Sequence, residues 1–130
     1  MREIVSFLQD AGAFFLATDD GGQPRVRPFG SVMEFEGKLF FCTENTKAVY
    51  RQLAANPKCE ICALKGEEWL RLCGKAVFVD DKAAKEAMFA ADPALDAIYG
   101  TPENPEYVVF YLDGLTALLY PEEGEPTKLL

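Results

Sequence analysis

Apolar residues Ile4, Val5, Leu8 and Ala11 recur at helical spacing, and Gly12 follows where a C-terminal cap belongs, so the pattern predicts a first helix over about residues 2–11. The run from Ala13 to Thr18 is apolar and aromatic and is closed by Asp19-Asp20-Gly21-Gly22, whose glycines accept the positive φ of a hairpin turn. A returning strand is expected from about Gln23 to Phe35. Pro28 has no N–H for a ladder and Gly30 packs poorly, so its pairing should be interrupted near them by a bulge or an edge. Glu36-Gly37 turns the chain into another aromatic strand, Lys38–Thr43, which completes an expected β-meander.

Asn45 or Thr46 is placed to cap a helix carrying Val49, Tyr50, Leu53 and Ala54 on one side, which stops before Pro57. Residues 58–64 and 68–79 read as two strands joined by Lys65-Gly66-Glu67. In the second, Leu70, Leu72, Ala76 and Phe78 share one face, and Trp69, Arg71, Cys73 and Lys75 share the other. That second face reads as a covered surface, a subunit interface or ligand wall, or as a half-exposed barrel exterior. A third helix is predicted over Asp80–Ala91, ending near Pro93. Tyr107–Leu112, Asp113-Gly114 and Leu115–Tyr120 read as a last hairpin, and the polar tail from Pro121 as loose. Six or seven strands, mostly in hairpins, with about three short helices predict an α+β antiparallel barrel in a single domain, residues 1–130.

Composition narrows the function. With 21 acidic and 13 basic residues the net charge is −8, which disfavours nucleic acid as a partner. The N-terminus carries acidic residues where a signal peptide would continue its apolar run, and no stretch is long enough to span a bilayer, so a soluble cytoplasmic protein is expected. Cys59 and Cys62 form a C-x-x-C spacing, but on a strand an odd separation turns the two sulfurs to opposite faces, which argues for buried core thiols and against a metal or redox site. The chain has no histidine, which removes the commonest general base and metal ligand and excludes Ser-His and Cys-His nucleophiles. An enzyme built this way takes its chemistry from a cofactor.

Two segments carry candidate chemistry. Arg25 and Arg27 point the same way on a regular strand, ahead of Pro28-Phe29-Gly30, and arginine's planar fork of donors matches phosphate oxygens. Thr43, Asn45, Thr46 and Lys47 place hydroxyls, an amide and an ammonium at a strand-to-helix junction, where free backbone N–H groups favour an anion. Glu44 is an unfavourable neighbour there unless it points away. The bland alternative stays open: Thr-x-Asn-Thr is an ordinary capping sequence, and Arg-x-Arg is often a solvated face paired with carboxylates.

The order of Asp-Gly-Gly, Gln-Pro-Arg-Val-Arg-Pro-Phe-Gly, Glu-Gly-Lys-Leu-Phe-Phe, Thr-Glu-Asn-Thr-Lys, Asn-Pro-Lys-Cys and Trp-Leu-Arg-Leu-x-Gly closely resembles the FMN-binding split-barrel group related to pyridoxamine 5′-phosphate oxidase, in particular its small nitroimidazole-resistance-type members. The resemblance implies a split β-barrel and a homodimer with FMN at the subunit interface. It implies an isoalloxazine along the Arg27-Pro28-Phe29-Gly30 backbone and a phosphate held by Arg25 or Arg27 with Thr43, Asn45, Thr46 and Lys47. It further implies that Trp69 and Arg71 approach the flavin from the partner subunit. In that setting the flavin transfers electrons to or from a small molecule while the protein orients it. A non-catalytic flavin carrier or sensor and a structural barrel with a decayed phosphate site are the alternatives. A deazaflavin could replace FMN. The missing histidine and the C-terminal Gly-Glu-Pro-Thr-Lys-Leu-Leu depart from true pyridoxamine 5′-phosphate oxidases, so vitamin B6 oxidation is not expected.

Overall fold

The computed structural model describes residues 1–130. Its helices are α1 (Arg2–Ala11), α2 (Ala48–Ala55), α3 (Lys82–Ala91) and the short α4 (Leu95–Tyr99). Its strands are β1 (Phe14–Asp20), β2 (Gln23–Phe29), β3 (Met33–Phe35), β4 (Lys38–Glu44), β5 (Lys58–Lys65), β6 (Glu68–Val79), β7 (Tyr107–Tyr120) and β8 (Thr127–Lys128). All eight join one antiparallel sheet in the order β2-β1-β5-β6-β7-β4-β3, with β8 beside β7. The sheet stays open between β2 and β3, which makes this an α+β split barrel. The expected fold class holds, with one more short helix and one more short strand.

Three elements differ from expectation. The first four strands are not a meander: β2 and β3 follow one another in the chain yet form opposite edges of the sheet. Gly30, Ser31 and Val32 leave the ladder altogether, so the break at Pro28-Phe29-Gly30 carries the chain from one edge to the other. Residues 107–120 form one continuous strand instead of a hairpin. Gly114 takes its positive φ of 65° at a bulge, because β6 pairs with β7 on both sides of it, Lys75 opposite Asp113 and Cys73 opposite Thr116. The tail from Pro121 is ordered by pairing, Leu119 with Thr127 and Leu118 with Lys128, and Leu129 N–H donates to the Ala117 carbonyl at 2.9 Å.

The core follows from strand alternation. Leu16 of β1, Leu39 and Phe41 of β4, Ile61 and Ala63 of β5, Leu70 and Leu72 of β6 and Phe110 of β7 turn inward, and α1 closes the barrel with Ile4, Phe7 and Leu8. A second, smaller cluster forms under α3 from Met33, Phe40, Met88, Leu95, Tyr107 and Val109. The odd separation on the strand does turn Cys59 and Cys62 to opposite faces, but only Cys59 is a buried core thiol: Cys62 is exposed, Cys42 and Cys73 are half-buried, and all four are free. Gly74 sits in a tight space: a Cβ there would stand 3.0 Å from Leu112 Cβ and 3.2 Å from the Asp113 carbonyl. No helix is long and apolar enough to cross a membrane.

Candidate functional site

Where β2 ends, its departure from the ladder leaves the 27–31 backbone against the end of β4 and the start of α2. A cavity of about 170 Å³ opens there, lined by Arg27, Pro28, Phe29, Gly30, Thr43 and Lys47. Six of the eleven residues singled out from sequence therefore meet at one place. Ser31, Cys42, Val49, Leu95, Ile98 and Tyr99 complete the lining. Three of these six escaped the sequence reading because they belong to α4, whose five residues follow Pro93 and carry no periodic signal of their own, and Cys42 because it is a half-buried strand position without a motif.

The two arginines part company. Arg25 forms an ion pair with Asp20 at 3.2 Å on the exposed hairpin, the solvated pairing that the bland alternative describes. Arg27 lies partly buried and touches no carboxylate. Its Nη1 donates to the Thr18 hydroxyl at 2.8 Å and to the Leu16 carbonyl at 3.2 Å, and its Nη2 donates to Gln52 Oε1 at 2.5 Å. Gln52 Oε1 also accepts the Thr18 hydroxyl at 2.6 Å. Every acceptor on Arg27 is neutral, so the guanidinium keeps its full charge, with its Nε and second Nη2 donors unengaged. Burial, then Arg25, lower its pKa, but it stays protonated at physiological pH. Sequence reading missed Thr18 and Gln52, since a threonine on a strand and a glutamine on a helix carry no motif.

The α2 terminus differs from the expected cap. Neither Asn45 nor Thr46 caps it: Lys47 occupies the N-cap and makes no side-chain cap bond. Asn45 is diverted to the 105–106 loop, donating from Nδ2 to the Pro105 carbonyl at 3.0 Å and from its backbone N–H to Glu106 at 2.9 Å. Thr46 is exposed and its carbonyl accepts from Arg51 at 3.4 Å. The helix thus begins with unsatisfied N–H groups and a partial positive charge beside Lys47. Glu44 does not point away. Its carboxylate lies 3.8 Å from Lys47 Nζ and faces the Tyr99 hydroxyl, which burial and then the nearby Cys42 and Glu44 hold well above the usual phenol range. Burial likewise pushes the Cys42 thiol up to about 12. Both therefore stay protonated at neutral pH, and the cavity has no histidine to act as a base.

Trp69 and Arg71 stand elsewhere, on the outer face of β6. Trp69 stacks on Tyr120 with ring centroids 4.0 Å apart and planes 8° from parallel. Arg71 lies over both rings and donates to the Tyr120 hydroxyl at 3.1 Å. Phe15, Val26 and Leu64 point out from the same face of the sheet at 47%, 68% and 65% exposure. Of the two expectations for this face of β6, the single chain thus shows the half-exposed barrel exterior, on which apolar and aromatic side chains stand among Arg71, Glu60 and Lys75.

The sequence profile of the family described as pyridoxamine 5′-phosphate oxidase matches residues 1–117. A NimC/NimA family protein from Clostridium acetobutylicum has a structure similar to this one at a TM-score of 0.93 and 36% identity, with 98% of this chain and 90% of that chain covered. A pyridoxamine 5′-phosphate oxidase-related, FMN-binding protein from Nostoc punctiforme shares the fold at a TM-score of 0.70 and 20% identity, covering 98% of this chain and 92% of that one. The General Stress Protein 26 from Bacillus anthracis shares it at 0.76 and 17% identity, covering 98% and 97%. No match is found among curated proteins. The open barrel, the cavity at its split and these likenesses agree: the chain belongs to the pyridoxamine 5′-phosphate oxidase family.

Proposed function

We propose that this protein is a homodimeric, FMN-dependent oxidoreductase acting on a small molecule. The observation that carries the reading is Arg27, a partly buried guanidinium with neutral partners only, in a chain of 21 acidic residues, lining one cavity with Lys47, Thr43 and the uncapped start of α2. A phosphate monoester suits this donor set: two cationic side chains, a hydroxyl and helix N–H groups, with Glu44 beside Lys47 and Asp92 beyond Ser31 as opposing charges. Arg27, Thr43 and Lys47 would hold the phosphate, with Arg25, Asn45 and Thr46 on the rim. The backbone of Pro28, Phe29 and Gly30 would lie along the ring. Bound there, FMN would supply hydride and electron transfer, which suits a cavity whose own titrating groups stay protonated.

The cavity in one chain is smaller than the roughly 300–1,000 Å³ of ordinary small-molecule sites, so a whole flavin needs a second wall. The outer patch of Phe15, Val26, Leu64 and Trp69 supports a second copy of the chain as that wall, with Trp69 and Arg71 reaching the flavin across the interface. Four free thiols fit the reducing cytoplasm. The absence of a histidine base favours, as second reading, a flavin carrier or sensor. Purified protein should show the two-band visible spectrum of a flavin and should bleach rapidly with NADH or NADPH in stopped-flow mixing. A bound flavin that is never bleached supports the carrier. A flavin-free apoprotein that does not take up added FMN refutes both.

A further inference from the structure

A second cleft of about 290 Å³ adjoins the cavity at Gly30 and Ser31, which line both, and is further lined by Gln9, Gly12, Val32 and Asp92. Nothing stands within 4 Å of where a Cβ of Gly30 or Gly12 would be, so both walls are open backbone at these points.

Asp92 is the charged group of this second cleft. Its Oδ2 accepts the Ser31 hydroxyl at 2.5 Å and its Oδ1 accepts the Ala94 N–H at 3.1 Å, which fixes the carboxylate at the junction of the two clefts. No lysine or arginine pairs with it. It is also the C-cap residue of α3, whose last turn holds no basic side chain. A helix C-terminus carries partial negative charge, so a carboxylate there is electrostatically unfavourable. The carboxylate therefore has two hydrogen-bond donors, one of them at the start of α4, but no cationic partner beside the cleft.

We infer that this second cleft is the subsite for the molecule that exchanges electrons with the cofactor, and that Asp92 selects a small planar molecule carrying a cationic or N–H-donating group such as an amidine, amine or amide. The inference rests on the FMN reading for its role, and on Asp92, Ser31 and the cleft for its chemistry. Ser31 orients the carboxylate and Gln9 supplies a neutral polar group on the facing wall. Anionic molecules are repelled.

Benzamidinium, benzamide and benzoate share one planar shape with charges of +1, 0 and −1, and their binding to the FMN-loaded protein is measured by ligand-observed NMR. The expected order is benzamidinium, benzamide, benzoate, with at least tenfold between the first and last. Asp92→Asn keeps the shape and should abolish the charge preference while leaving FMN affinity unchanged. Gln9→Glu, at an exposed position on α1, should raise the preference severalfold. Equal binding of the three probes, no binding of any, or a preference that survives in Asp92→Asn overturns the subsite. The same series is run on flavin-free protein, so a failure of FMN binding is scored separately from a failure of the charge preference.

Discussion

Gln52→Glu is the perturbation that bears most directly on Arg27. In the wild type Gln52 Oε1 takes hydrogen bonds from Arg27 Nη2 at 2.5 Å and from Thr18 Oγ1 at 2.6 Å without adding charge. Glutamate has nearly the same shape and keeps both bonds, but it places a carboxylate against the guanidinium. With charge centres about 4 Å apart and an effective dielectric near 20, the pair gains roughly 4 kcal/mol. The site is only partly buried and salt screens it, so about 1.4–2.8 kcal/mol of this should appear as lost attraction for a phosphate, about 10- to 100-fold in Kd. Titration of apoprotein by flavin fluorescence quenching, with FMN and riboflavin in parallel, measures it. FMN should weaken by that factor, riboflavin by less than about twofold, and the gap should shrink in about 0.5 M salt. Equal losses for the two flavins, or no loss, would refute the assignment of Arg27 as an anion-binding group.

Lys47→Ala should weaken FMN by about tenfold or more and leave riboflavin nearly unchanged, since charge-assisted hydrogen bonds contribute about 1.5–3 kcal/mol. Glu44→Gln should tighten FMN a few-fold by freeing Lys47 from a pair at 3.8 Å, of the kind that contributes about 0.2–1 kcal/mol; an unchanged Kd would show that this pair does not compete. Gly74→Ala should lower stability by about 1–3 kcal/mol in urea titration, because its Cβ meets Leu112 and the Asp113 carbonyl. Cys42 and Cys59 have thiols raised to about 12 by burial, so unfolding releases protons from them above the unfolded value near 9. Stability is then fully present below pH 9 and falls as pH rises from 9 toward 12, by about 1.4 kcal/mol per pH unit per thiol, a slope that Cys59→Ala should reduce.

Local chemistry made much of this fold readable. Asp19-Asp20-Gly21-Gly22 specified its hairpin because two adjacent residues need positive φ, 61° and 99° here. Gly12 specified the end of α1 in the same way, and strand alternation separated Cys59 from Cys62 and Leu70 from Trp69. Long-range pairing was not readable. Asp113-Gly114 is chemically a turn, and only the length of β6 across from it makes it a bulge. The break at Gly30 was visible, but whether the chain turns back or crosses to the far edge is decided by which strands find each other. Asn45 has the chemistry of a cap and is drawn instead to the 105–106 loop. Half the candidate site was legible because Arg27, Thr43 and Lys47 carry recognisable donors. Gln52, Thr18 and Asp92 gain their meaning from partners 25, 9 and 61 residues away.

Native mass spectrometry of the protein as purified, and again after addition of FMN, tests the central claim most directly. The account predicts a dimer carrying two FMN molecules. A monomer, or a dimer that takes up no flavin at an excess of FMN, would contradict it.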